Sequence, residues 1–111
     1  MDKRDKTLLG KISDEMHIID DLINGYDCNS FVNDEKTKRA VCMTLVNIGE
    51  MVKLMSDNIK QSNPLIPWRL IAGLRDVTAH GYQTLRMGDI WETISDDIPK
   101  LQKSFKTLLG E

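Results

Sequence analysis

Val41–Met55 reads VCMTLVNIGEMVKLM, and its periodicity decides the fold class. Val41, Leu45, Ile48, Val52 and Met55 alternate spacings of four and three, the signature of one apolar stripe on an α-helix. Met43, Val46, Met51 and Leu54, with Ala40 just upstream, add apolar surface off that stripe. A helix apolar on more than one face contacts more than one neighbour, so this is read as the central helix of a bundle and as part of a dimer interface. Gly49 in its middle costs about 1 kcal/mol relative to Ala, and close approach of another backbone is the expected reason.

Upstream, the helix is expected to start near Asn33 as cap, with Asp34 and Glu35 in the first turn, and to run to about Asn58. A loop from Tyr26 to Val32 precedes it. Before that, Leu9, Ile12, Met16, Ile19 and Ile23 mark a first helix over about residues 5–24, stopped by Gly25. Downstream, Asn63-Pro64-Leu65-Ile66-Pro67 is a linker, because two prolines three apart cannot both lie inside a helix. Pro67 suits a first turn, and a third helix is predicted from Pro67 to about His80, with Gly81 as its stop. Trp91, Ile94, Ile98, Leu101, Phe105 and Leu108 give the stripe of a fourth helix. Asp89 and Glu92 have capping-box spacing at its start, and Pro99 is expected to kink it. The predicted architecture is all-α, an antiparallel bundle of four main helices.

The 111 residues are expected to form one domain, residues 1–111. A core of that size is modest, and association of copies is a natural way to enlarge it. The formal net charge of −2 is no bulk footprint for nucleic acid, so any RNA contact must be local. Cys28 and Cys42 are far from CxxC spacing, and with only two histidines a Cys/His zinc cluster is not expected. Cys42 reads as a small buried residue and Cys28 as a loop residue in a reducing compartment. No apolar run approaches membrane-spanning length and the N-terminus is charged, so a soluble cytoplasmic protein is expected.

Arg75, Asp76 and His80 fall at the end of the third predicted helix. Asp76 and His80 are four apart and share a face, with Arg75 on roughly the same side. Arginine matches phosphate oxygens with a planar fork, imidazole exchanges a proton near neutral pH, and a carboxylate can orient the imidazole. That set suits cleavage of RNA with the 2′-hydroxyl as internal nucleophile and no metal, and DNA lacks that hydroxyl. From spacing alone a structural Asp–His pair at a helix C-terminus is the favoured reading, and Tyr82 alone reads as a packed aromatic. Glu50 on the central helix is a candidate partner for Arg75, with a solvated surface acid as the plainer reading.

Arg75-x4-His80-x-Tyr82, with polar Asp76 after the arginine, resembles the signature of the HEPN family, and specifically its HepT-like (DUF86) branch. Ile48-Gly49-Glu50, Ile66-Pro67-Trp68 and Asp89-Ile90-Trp91 fit the same branch, so the resemblance spans nearly the whole chain. It implies a helical homodimer that brings two copies of the motif into one cleft. It implies a metal-independent endoribonuclease without cofactor, the toxin of a type VII toxin–antitoxin pair, with Arg75, Asp76 and His80 as catalytic residues. The implied partner is a minimal nucleotidyltransferase (MNT-type) antitoxin that transfers AMP from ATP to Tyr82. The branch has Asn where this chain has Asp76. An acid there can raise the pKa of His80 and weaken RNA binding. A non-catalytic role as the nucleotide- or substrate-binding partner of such a transferase is the alternative.

Overall fold

In the computed structural model, residues 1–74 and 82–111 are described. Helix α1 spans Lys3–Ile23, and Asp2 caps it by accepting from the Asp5 backbone N–H at 2.7 Å. Gly25, at φ 81, supplies the left-handed residue that ends it, as its position after the last apolar residue suggested. The expected loop that follows contains a short helix instead, α2 at Cys28–Val32. Asp27 and Ser30 form a reciprocal capping box there, and Phe31 is driven fully into the core.

Helix α3 spans Glu35–Lys53 and is capped by Asp34, not by Asn33. It packs against α1, α2 and a further helix, α5 at Trp68–Ala72, which is the central position its stripe demanded. The expected continuation to Asn58 is broken. The chain leaves α3 after Lys53 and restarts as α4, Asp57–Ser62, under a Ser56 cap. Ser56 also donates its backbone N–H and its hydroxyl to the buried Asp5 carboxylate, which ties the break to the start of α1. Burial pushes the Asp5 carboxyl up, but the two Ser56 hydrogen bonds, with Arg4 and the amino terminus, hold it below its usual value.

Trp68 opens α5 behind Pro67 and donates its indole N–H to the Asn63 carbonyl at 2.9 Å. After the Tyr82–Thr84 3₁₀ turn, α6 (Met87–Glu92) begins at an Arg86 cap. Asp89 therefore lies inside the first turn, 3.8 Å from Arg86, and does not cap the helix as its spacing with Glu92 suggested. Thr93–Asp97 is a π turn that leads into α7, Ile98–Leu108. The Ile98 N–H reaches back five residues to the Thr93 carbonyl, and Pro99 follows in the first turn of α7, where its missing N–H is tolerated. The predicted Pro99 irregularity is thus met by local widening of the helix just upstream.

The core is the sum of the sequence stripes. Leu9, Ile12, Met16 and Ile19 of α1, Val41, Leu45, Ile48 and Val52 of α3, and Ile94, Ile98 and Phe105 are essentially inaccessible. Each such side chain stabilises the fold by roughly 1.5–3 kcal/mol relative to exposure. Trp68 stacks on Phe105 with ring centroids 5.8 Å apart, joining α5 to α7. Asn47 bonds Glu15 while Ser56 bonds Asp5, so residue numbers rise on α3 as they fall on α1 and the pair is antiparallel. The architecture is the expected all-α bundle, with α2 and α4 added to the main helices, and no strand occurs among the described residues.

Candidate functional site at Tyr82

Arg75, Asp76 and His80 lie outside the described residues, as does the predicted helix end at Gly81. The described chain resumes at Tyr82, which is held by a cluster of charged side chains. Tyr82 opens a 3₁₀ turn closed by the Leu85 N–H on its carbonyl at 3.1 Å. Its side chain is half-buried and packs against the core.

The Tyr82 hydroxyl donates to Glu35 Oε2 at 3.0 Å, 47 residues away in sequence. The same carboxylate accepts from Lys38 Nζ at 3.0 Å and from Arg39 Nε at 2.9 Å. The Arg39 guanidinium carbon also sits 4.5 Å from the centre of the Tyr82 ring, so one cation faces the ring and grips the ring's acceptor. Residues 35, 38, 39 and 42 follow helical spacing, which places this seat along one face of α3.

The electrostatics follow from the contacts. Hydrogen bonds from Lys38, then Tyr82, then Arg39 hold the Glu35 carboxyl below its usual range. Burial, then the Glu35 hydrogen bond and charge, push the Tyr82 phenol up to about 12, with Arg39 opposing. At neutral pH the phenol keeps its proton, and that proton points at a carboxylate. Beneath it, burial raises the Cys42 thiol to about 11, so this sulfur is a packed, unreactive group, as its sequence position suggested. Cys28 is exposed at the start of α2, not in a loop.

The model of the family described as “Ribonuclease HepT-like” matches residues 12–108 of this chain. The chain belongs to the HepT-like family. It is 32% identical to the “Probable ribonuclease HepT” of Thermococcus cleftensis, covering 97% of this chain and 98% of that one. It is 34% identical to “Putative RNase TTE0752” of Caldanaerobacter subterraneus subsp. tengcongensis, covering 96% of each. It is also 34% identical to “Putative RNase MJ0125” of Methanocaldococcus jannaschii, over 100% of this chain and 97% of the other. No solved structure matches.

The HepT-like match covers α3, the 75–81 segment and Tyr82 together. Glu50, the acid singled out from sequence, is exposed on α3. It lies 15 residues from Glu35, about 22 Å along the helix axis at 1.5 Å per residue. The acid that engages the motif tyrosine is Glu35, which the sequence marked only as a first-turn helix acid. Glu35 and Arg39 stand four apart, the spacing of a helical ion pair, but nothing local links them to residue 82. Elsewhere, an apolar groove of about 440 Å³ runs between α5 and α7, lined by Leu65, Leu70, Leu74 and Leu101. Among the described residues no cluster of three His, Cys, Asp or Glu side chains is placed to hold a metal, and no helix is long and apolar enough to cross a membrane.

Proposed function

We propose that this HepT-like chain is a metal-independent endoribonuclease, the toxin of a toxin–antitoxin pair, silenced by transfer of AMP to Tyr82. The observation that carries the reading is the family match over residues 12–108, within which Arg75-x4-His80-x-Tyr82 stands intact. Arg75 binds the scissile phosphate. His80 moves the proton as the 2′-oxygen attacks phosphorus and the 5′-oxygen leaves, and Asp76 orients the imidazole. The chemistry needs the 2′-hydroxyl, so RNA is the substrate and DNA is not. AMP on Tyr82 adds a negative phosphodiester and a nucleoside two residues from His80, which repels and crowds the RNA phosphate.

The partner is an MNT-type nucleotidyltransferase supplied with ATP. A second copy of the chain completes the cleft. Met43 on α3 and Leu54 at its C-terminal cap, 59% and 54% exposed, support a homodimer through that helix. Cleavage of a mixed RNA by the purified protein tests the catalytic assignment. His80→Ala and Arg75→Ala are each expected to reduce cleavage by about 10²–10⁴-fold, and a matched DNA is expected to remain intact. Undiminished cleavage in both variants would remove the proposed site.

One observation favours a second reading, a non-catalytic partner of the same transferase. Asp76 puts one of the acidic charges of a chain of net charge −2 where an RNA phosphate would have to dock. On that reading the purified chain binds the transferase and cuts no RNA.

A further inference from the structure

Tyr82 is seated before any partner arrives. Glu35 accepts its hydroxyl proton at 3.0 Å, and Lys38 and Arg39 fix that carboxylate from two sides. Arg39 also covers the ring at 4.5 Å. The Glu35 side chain is 60% exposed, so a nucleotide can reach the hydroxyl from solvent and the carboxylate can exchange protons with water. Lys38 and Arg39 bring two positive charges to the place where a triphosphate would lie, and these cations are bound by a carboxylate, the group a phosphate best replaces.

We propose that Glu35 accepts the phenol proton during nucleotide transfer to Tyr82, and that Arg39 and Lys38 hold the phosphate delivered there. The inference rests on Tyr82 being the acceptor. The Tyr82 Oη–Pα bond forms and the bond from Pα to the oxygen bridging to the β-phosphate breaks. Pyrophosphate leaves, and the phenol proton passes to the Glu35 carboxylate and on to solvent. The proton does not leave ahead of attack, because the phenol is held high and the carboxylate low. Its transfer is coupled to P–O bond formation. Once the ester forms, the Tyr82 oxygen has no proton to donate, and the new phosphodiester anion takes Arg39 from Glu35. Modification thereby dismantles the seat that positioned it.

The test has two arms. In the first, the two tyrosines are labelled with ¹³C at Cζ, assigned with Tyr82→Phe, and titrated. Tyr82 is expected to titrate near about 12, and Glu35→Gln to bring it down toward ~10. A Tyr82 midpoint that does not respond to Glu35→Gln overturns the seat, whatever happens in transfer. In the second arm, an MNT-type nucleotidyltransferase from the same genome and ATP are added and AMP incorporation is followed by intact mass. Glu35→Gln is expected to slow transfer at least about tenfold with the KM for ATP unchanged, and Glu35→Asp to restore most of the rate. Arg39→Ala is expected to slow it about two- to fivefold. Wild-type transfer in Glu35→Gln, with Tyr82→Phe unlabelled, removes the role of Glu35 and leaves the acceptor assignment standing. Labelling of Tyr82→Phe as full as wild type removes the acceptor assignment itself. Circular dichroism of each variant checks that the substitutions leave the helices intact.

Discussion

The two tyrosines of the chain make the same bond to adjacent residues with opposite consequences. Tyr26 donates its hydroxyl to Asp34 Oδ2 at 2.5 Å and contacts the Thr37 hydroxyl at 3.1 Å. Tyr82 donates to Glu35 at 3.0 Å. Asp34 is also the cap of α3, accepting from the Thr37 backbone N–H at 3.0 Å, so the Tyr26 bond is built into the start of the central helix. Its partners lie eight and eleven residues from Tyr26, and the contact orders a local turn. Glu35 caps nothing, stands out from the helix, and shares its oxygens among Lys38, Arg39 and Tyr82. The Tyr26 bond therefore shapes the fold, whereas the Tyr82 bond ends on an exposed carboxylate that it shares with two cations.

The largest effect that could break this contrast is in modification. Tyr82→Phe is expected to abolish AMP incorporation, a complete loss by intact mass, while Tyr26→Phe is labelled like wild type. Labelling of Tyr82→Phe together with loss in Tyr26→Phe would reverse the roles assigned to the two corners.

Stability should separate them in the other direction. Tyr26→Phe leaves a cap carboxylate without one of its donors and is expected to lower Tm on the order of 5 °C. Tyr82→Phe removes a bond to a carboxylate that keeps two cations and water, and is expected to lower Tm by less than half as much. Thermal unfolding followed by circular dichroism gives both values. Equal losses would mean that Tyr82 is as much a structural strut as Tyr26.

The same contrast explains what the sequence could reveal. Stripes such as Leu9-Ile12-Met16-Ile19 and Ile94-Ile98-Leu101-Phe105 were legible because burial on one helix face imposes a period. The break at Ser56 was not, because Val52, Met55 and Ile59 continue the apolar spacing across it and all three are buried. Periodicity reports which side chains go inside, not whether the backbone between them stays helical. Helix α2 was hidden for a related reason: at five residues it is too short to show a period, and only the Asp27–Ser30 box marks it. Asp89 and Glu92 misled because capping-box spacing does not say which residue begins the helix, and α6 starts two residues earlier. For the site, the motif around Tyr82 was readable in one stretch, but its seat comes from a helix 47 residues upstream. A residue's partner across the bundle leaves no trace in local spacing, so Glu50 and Glu35 were indistinguishable in kind until the packing set Glu35 under the ring.

The smallest effect, and the finest test of the contrast, is in the pH dependence of stability. The Asp34 carboxyl is held low, first by the Tyr26 hydroxyl and then by the Thr37 N–H. Glu35 is held low first by Lys38 and then by Tyr82. A carboxyl depressed in the folded state contributes stability that is fully present above its unfolded value, near ~4, and is lost as pH falls through its lower folded value. Both residues should therefore steepen the fall of Tm below about pH 4. Asp34→Asn keeps a capping side chain and an acceptor oxygen but has no charge to titrate, so its acid limb should be flatter by a few degrees at any salt concentration. The Glu35 carboxylate and Arg39 are exposed and salt screens them, whereas the Lys38 side chain is only 14% exposed and is screened less. Glu35→Gln should flatten the limb at low salt and lie closer to wild type at about 0.5 M salt, where the Debye length is only a few ångströms. If the Glu35 effect survives high salt undiminished, Glu35 is bound into the fold as tightly as Asp34, and a phosphate could not displace it from Arg39.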